Sequence, residues 1–209
     1  MRDIPGENTA ENIQIIIDEA SRLSELVDDM FDLSRIQTGV RKPIAELFSI
    51  TESVRATLHR YRELTKRKGY KIDFVSDADV YIFADKGMIL QVVYNLINNA
   101  INYSGDSKEI LVKQDVFDGK VRISVIDKGE GILESDIPFI WDKYYKVDKQ
   151  HKRATVGTGL GLSIVKGILE LHNATYGVTS VPGRGSTFWF ELNVADESEY
   201  SSTTETLGE

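Results

Sequence analysis

Gln91-Val-Val-Tyr-Asn95-Leu-Ile-Asn-Asn99-Ala-Ile-Asn102-Tyr103 decides how this chain is read. Val92, Val93, Leu96, Ile97, Ala100 and Ile101 give it the apolar body of a helix. Gln91, Asn95, Asn99 and Asn102 recur at steps of four, four and three, so they share one edge, with Asn98 beside them. Asparagine is a mediocre helix former, because its side chain competes with the backbone for hydrogen bonds. A solvated edge would more naturally carry Glu and Lys. Taken alone, the stripe reads either as a polar helix edge with polar neighbours or as amides held for a ligand.

Two glycine turns lie downstream. Val121-Arg-Ile-Ser-Val-Ile126 alternates as a strand and ends in Asp127-Lys-Gly129-Glu-Gly131-Ile132. Such a carboxylate can accept a hydrogen bond from an exocyclic amine, and the glycines leave bare backbone for a flat base to lie on. The plain alternative is Asp as an ordinary turn residue. Gly157-Thr-Gly159-Leu160-Gly161-Leu162 runs straight into a helix whose apolar face is Leu160, Ile164, Val165, Ile168, Leu169 and Leu171. Amides at a helix start favour phosphate oxygens. A dinucleotide fingerprint requires a preceding strand, and here the polar Lys149-Gln-His-Lys-Arg-Ala-Thr155 precedes. A Walker loop requires Gly-Lys-Ser/Thr, which is absent. Amide oxygens suit Mg²⁺, a hard cation whose octahedron phosphates and waters complete. Together the three segments fit a magnesium nucleotide.

The chain has 209 residues, one domain plus an extra element or two small domains, with 41% hydrophobic residues to build a core. It has no cysteine, so it has neither disulfide nor thiolate chemistry. Net charge is −8, but residues 196–209 hold five acidic residues and no Lys or Arg, leaving −3 for the remainder. That balance argues against nucleic acid as a partner. No run is long and apolar enough for a bilayer and no signal peptide opens the chain, so the expectation is a cytoplasmic fragment without membrane contact.

Residues 7–38 read as one helix, with Asn8 or Thr9 as cap and Gly39 as stop. Ile13, Ile16, Ala20, Leu23, Val27, Met30 and Ser34 form a bundle seam, which predicts self-association through this helix. Further expectations are a short strand over 42–47 and a helix capped by Ser49 and stopped by Gly69. Strands follow at 70–75 and 80–83, then the amide helix over 85–103. A hairpin of 110–117 and 120–126 turns on Asp118-Gly119, and a short helix lies near Glu134. After the glycine-started helix, a last hairpin joins 176–180 to 187–194. The fold class is α+β, a two-layer sandwich. Helices cover one face of a mixed, mostly antiparallel sheet, and a long bundle helix precedes it. The tail after 194 is acidic, Ser/Thr-rich and expected to be disordered.

In order, the amide helix, Asp-x-Gly-x-Gly, an aromatic basic box and Gly-x-Gly-x-Gly resemble the ATP-binding catalytic domain of bacterial sensor histidine kinases. Their superfamily includes gyrase, Hsp90 and MutL. The resemblance covers residues 42–194. Residues 1–41 resemble the second helix of the dimerisation and phosphotransfer domain, through Arg22-Leu-Ser-Glu-Leu-Val-Asp-Asp-Met-Phe-Asp-Leu-Ser-Arg35. It implies ATP and Mg²⁺ as cofactors and a response regulator receiver domain as partner of the intact parent. Asn99 would ligate the metal, and Asn95 would help place metal or phosphate. Asp127 would bind the adenine amine, with Thr187 nearby through water. Tyr103 would pack on the base and Gly129 and Gly131 would make room for it, beside Ile132 and Tyr145. In the aromatic box Ile140-Trp-Asp-Lys-Tyr-Tyr-Lys146, Lys143 and Lys146 stand where the family often has arginines. Residues 147–156 would form the lid, and Gly157, Gly159, Leu160, Gly161 and Leu162 would hold the phosphates.

Three departures matter. Asn102 stands where the family often has lysine. Lys in the box keeps charge but loses the planar fork of Arg. Asn173-Ala-Thr replaces the usual Gly-Gly after His172. None of the histidines, His59, His151 and His172, has the context of the family's phosphoacceptor. The expectation is a fragment that begins after the acceptor helix and cannot label itself. Hydrolytic relatives carry a carboxylate one turn before the metal asparagine; Asn95 cannot act as that base, which favours kinase over ATPase. A serine kinase of the anti-sigma type and a nucleotide-gated interaction module are the alternatives.

Overall fold

The computed structural model describes residues 10–145 and 157–195. Lys146, the 147–156 lid, the tail and the cap at Asn8 or Thr9 lie outside the described residues. A long helix, α1 (Ala10–Gln37), leads to a short strand, β1 (Glu46–Ser49), and helices α2 (Ile50–Arg60) and α3 (Arg62–Lys68). Strands β2 (Lys71–Ser76) and β3 (Tyr81–Ala84) precede the amide helix α4 (Lys86–Tyr103). The hairpin β4 (Glu109–Phe117) and β5 (Lys120–Asp127), helix α5 (Gly161–Leu171) and the hairpin β6 (Thr175–Val181) and β7 (Gly185–Asn193) complete the fold.

The main sheet runs β2-β4-β5-β7-β6. Its β2–β4 pair is parallel and the other three are antiparallel, giving the mixed sheet expected. A separate antiparallel pair, β1 with β3, flanks it. One sheet face is apolar and alternates as a half-buried strand should: Val121, Ile123 and Val125 on β5 meet Phe188 and Phe190 on β7. Against it lie Val92, Val93, Leu96 and Ile97 of α4 and Ile164, Val165, Ile168 and Leu169 of α5. Each such side chain contributes about 1.5–3 kcal/mol by leaving water.

Local chemistry fixes the element ends. Asp85 caps α4, its carboxylate accepting from Met88 N–H at 2.9 Å. Ser49 caps α2 the same way, accepting from Glu52 N–H at 3.0 Å. His172 ties the end of α5 to the start of α4. Its Nδ1 sits 2.8 Å from the Ile168 carbonyl and must carry the proton, while Nε2 accepts from Asp85 N–H at 3.2 Å.

Three expectations are corrected. The helix capped by Ser49 does not run unbroken to Gly69. It loosens at Tyr61, whose buried ring turns inward so that its hydroxyl donates to Asn98 Oδ1 at 3.0 Å. The helix near Glu134 is a string of turns, with Asp136, Phe139 and Asp142 N–H each bonded three residues back. Pro138, in the middle, has no N–H with which to continue a helix. The strand expected over 42–47 begins only at Glu46, beyond Pro43.

Among the described side chains of α1, only Leu33 and Ile36 are buried. Ile13, Ile16, Leu23, Val27 and Met30 of the expected seam are 41–67% exposed. Among the described residues no helix is long and apolar enough to cross a membrane.

Candidate nucleotide site

The three segments singled out in the sequence meet at one end of α4. A Cβ built on Gly161 would stand 3.8 Å from the side chain of Asn95, and one on Gly157 would stand 3.8 Å from Asn102 Nδ2. Asn95, Asn99 and Asn102 therefore line the edge of α4 that faces the 157–161 turn, with Asn99 between the other two. Gly157 and Gly159 both have positive φ, 79° and 76°, a backbone that side chains rarely adopt.

Asn95 Nδ2 is buried and has no hydrogen-bond partner among the described residues. An orphaned buried donor costs about 1–3 kcal/mol, so a native fold keeps one where a ligand satisfies it. Turned over, the same amide presents its oxygen, which suits a metal ion. The neighbouring amides have other work. Gln91 donates to Asp32 of α1 at 2.7 Å and accepts from Arg41 at 3.2 Å. Asn98 is the acceptor for Tyr61.

Asp127 closes β5 and is only 3% exposed. Burial pushes its carboxyl above the usual range, opposed by backbone N–H bonds from Gly129, at 2.8 Å, and Ser186. A buried carboxylate with unused lone pairs is a specific acceptor for an amine.

Gly129 and Gly131 serve the chain itself before they serve a ligand. A Cβ on Gly129 would fall 1.8 Å from the Tyr103 carbonyl, and one on Gly131, at φ +69°, would fall 2.2 Å from the Val181 carbonyl. On the Cβ side the room they leave is filled by backbone of the chain itself. These contacts dock the Asp127 turn onto the end of α4 and the β6–β7 turn.

Thr187 does not share a sheet face with Asp127. It pairs with Ile126 on the opposite sheet face, while Ser186 pairs with Asp127 and shares its face. Ser186 Oγ lies 2.9 Å from Ser180 Oγ, and Ser180 Oγ in turn accepts from Ile132 N–H at 2.8 Å. The alternation Ser186, Phe188, Phe190, Leu192 could have identified Ser186 from sequence, since the apolar members must face the core.

Tyr103 is half-exposed at the end of α4, and its hydroxyl pKa is raised by burial. Tyr145 packs on Phe139 with ring centres 5.9 Å apart. The aromatic box is tied to the glycine turn by Tyr144 N–H, which donates to the Gly159 carbonyl at 2.9 Å. Lys143 points elsewhere: its ammonium donates to Gln37 at the end of α1. Leu160 is fully buried, leaving only its backbone for a ligand, and Leu162 is partly buried. Of the histidines, His59 is exposed on α2, His172 is bonded at both ring nitrogens and His151 lies outside the described residues.

Comparison with known proteins agrees with this geometry. Residues 84–196 match the family model described as histidine kinase-, DNA gyrase B-, and HSP90-like ATPase. The chain is 31% identical over 177 residues to the sensor-like histidine kinase SenX3 of Mycolicibacterium smegmatis, covering 85% of this chain and 46% of that protein. It is 31% identical over 192 residues to the sensor histidine kinase WalK of Bacillus subtilis, covering 90% and 31%. It thus spans less than half the length of either relative. Among solved structures, full-length ShkA in complex with AMPPNP matches with a TM-score of 0.75 at 26% identity, over 90% of this chain and 40% of that one. Histidine kinase ThkA in complex with the response regulator protein TrrA matches at 0.73 and 26%, over 93% and 53%. The chain belongs to the histidine kinase-, DNA gyrase B- and HSP90-like ATPase family, and it is an ATP-binding catalytic domain of the two-component sensor histidine kinase kind.

Proposed function

We propose that this chain binds Mg-ATP between α4 and the 157–161 turn and transfers the γ-phosphoryl group to a histidine outside this chain. The observation that carries the reading is Asn95. Its buried amide nitrogen, without a partner among the described residues, faces a turn of positive-φ glycines at the start of a helix. Asn99 would ligate the metal, with Asn95 on metal or phosphate. Asp127 would accept from the adenine amine, with Ser186 beside it in the role first given to Thr187. Tyr103, Ile132 and Tyr145 would wall the base. Backbone amides of Gly157, Gly159, Leu160, Gly161 and Leu162 would face the phosphates. Lys143 and Lys146 would supply cations, Lys143 by leaving Gln37.

Magnesium, when bound, would offset charge on the triphosphate. Phosphoryl transfer otherwise asks the protein for positioning and electrostatic stabilisation, and these residues are suited to both. Asn95 cannot act as a base toward water, which supports transfer over hydrolysis. With His59 exposed away from any acceptor context and His172 committed to structure, the chain alone would not label itself. The partner of the phosphorylated parent would be a response regulator, as ThkA has TrrA. The test supplies a homologous acceptor helix pair in trans with labelled ATP. Label on its histidine is expected and none on this chain. Label appearing on serine would replace the reading with the serine-kinase one.

A further inference from the structure

The last turns of α1 lie against α5. Leu33 and Ile36 are buried there, and Ile36 Cγ2 would stand 2.7 Å from a Cβ on Gly167, so α5 receives α1 because residue 167 has no side chain. Asp29 lies four residues before Leu33 and seven before Ile36, on the same helical face. Its Oδ2 accepts a hydrogen bond from Thr158 Oγ1 at 2.7 Å. Thr158 sits inside the glycine turn, and its hydroxyl oxygen accepts from Leu160 N–H at 3.2 Å. The hydroxyl's one proton is therefore committed to α1. One of its lone pairs occupies an amide at the start of α5 that would otherwise be available to a phosphate oxygen. The same contact sets a carboxylate, with Glu25, Asp28 and Asp32 near it, beside the turn. Burial chiefly, then those three acids, push the Asp29 carboxyl up against the lowering effect of Thr158.

We propose that Asp29 is a positioning residue for the phosphate-binding turn, through which docked α1 weakens binding of the triphosphate. This rests on the nucleotide reading of the turn. By linkage, bound triphosphate weakens α1 docking by the same factor. The charge part of the coupling arises from like charges brought close, and the hydrogen-bond part from the captured Leu160 amide.

The test titrates the whole chain with ATP, ADP and adenosine in the presence of magnesium. Asp29→Ala removes the charge and the hydroxyl's anchor. Ile36→Asp leaves Asp29 in place but undocks α1. Both variants are expected to bind ATP about 5-fold or more tighter than wild type, the low end of usual coupling between sites. The gain is expected to be smaller for ADP and absent for adenosine, a grading that a merely structural role for Asp29 would not produce. Wild type binding ATP with both variants unchanged overturns the inference and leaves the nucleotide reading standing. So does an equal gain for adenosine. Wild type binding no ATP overturns both.

Discussion

Asn95 and Gly161 face each other across the site. The amide carbon of Asn95 lies 3.8 Å from where a Cβ on Gly161 would be, and its Nδ2 is buried without a partner among the described residues. An orphaned buried donor makes the fold less stable, and in the proposed site a bound nucleotide would satisfy it.

Asn95→Ala is therefore expected to leave stability unchanged or raise it by about 1 kcal/mol, because removing an orphaned buried donor removes its desolvation cost. ATP affinity should fall about tenfold or more, the loss of one to two hydrogen bonds to charged oxygens. Urea unfolding and calorimetric titration on the same sample check both halves. A large destabilisation with affinity intact would contradict the assignment.

Gly129→Ala should do the reverse. Its Cβ would strike the Tyr103 carbonyl at 1.8 Å, and backbone cannot move aside cheaply. A loss of about 3 kcal/mol or more is expected, seen as a lower urea midpoint whether or not nucleotide is present. Gly161→Ala, whose Cβ finds ordinary contact distances, should fold normally and bind ATP less well.

Ser186→Ala is expected to weaken ATP binding about 5-fold, the usual worth of one hydrogen bond, while Thr187→Val leaves it within error. The pleat places Ser186 with Asp127 and Thr187 with Ile126 on the far face. Paired titrations of the two variants separate the residues cleanly.

Asp127 gives a pH signature. Burial raises its folded-state pKa above the unfolded value, so the proton is held more tightly in the folded chain. Below the unfolded pKa the residue is neutral in both states and costs nothing. As pH rises through the folded pKa the ionised form must be buried, and stability is lost. Asp127→Asn escapes that cost. Its stability relative to wild type should be greatest near pH 7 and shrink as pH falls towards 4, by urea unfolding at both pH values.

The exposed seam of α1 should associate. Ile13, Ile16, Leu23, Val27 and Met30 are 41–67% exposed in one stripe. Light scattering is expected to show mass rising with concentration, and Leu23→Glu to return a monomer. Wild type remaining monomeric throughout the range would count against pairing.

Much of this was legible because local rules and tertiary structure agree. Val92, Leu96 and Ile97 lie where helical spacing puts them, Asp85 caps α4 and Gly69 stops α3 in the left-handed conformation that only glycine adopts freely. The site's three segments were found by residue type, since amides in an apolar helix and glycines at a helix start are locally unfavourable choices. What the sequence hid is what depends on distant partners. The break at Tyr61 follows from a hydroxyl reaching Asn98, 37 residues away. The Gly129 and Gly131 contacts follow from carbonyls of other elements. Lys143 bonding Gln37, and Asp29 bonding Thr158 across 129 residues, have no local signal. Ser186 is different: strand alternation carried it.

In the proposed site, amides on one edge of α4 and a single buried aspartate together hold a magnesium nucleotide. Calorimetric titration of the chain with ATP, with and without Mg²⁺, in wild type, Asn99→Ala and Asp127→Asn tests it most directly. One site per chain is expected, strengthened by Mg²⁺ in wild type but not in Asn99→Ala, and lost in Asp127→Asn. Magnesium-independent binding that survives both substitutions, or no heat from wild type at all, would contradict it.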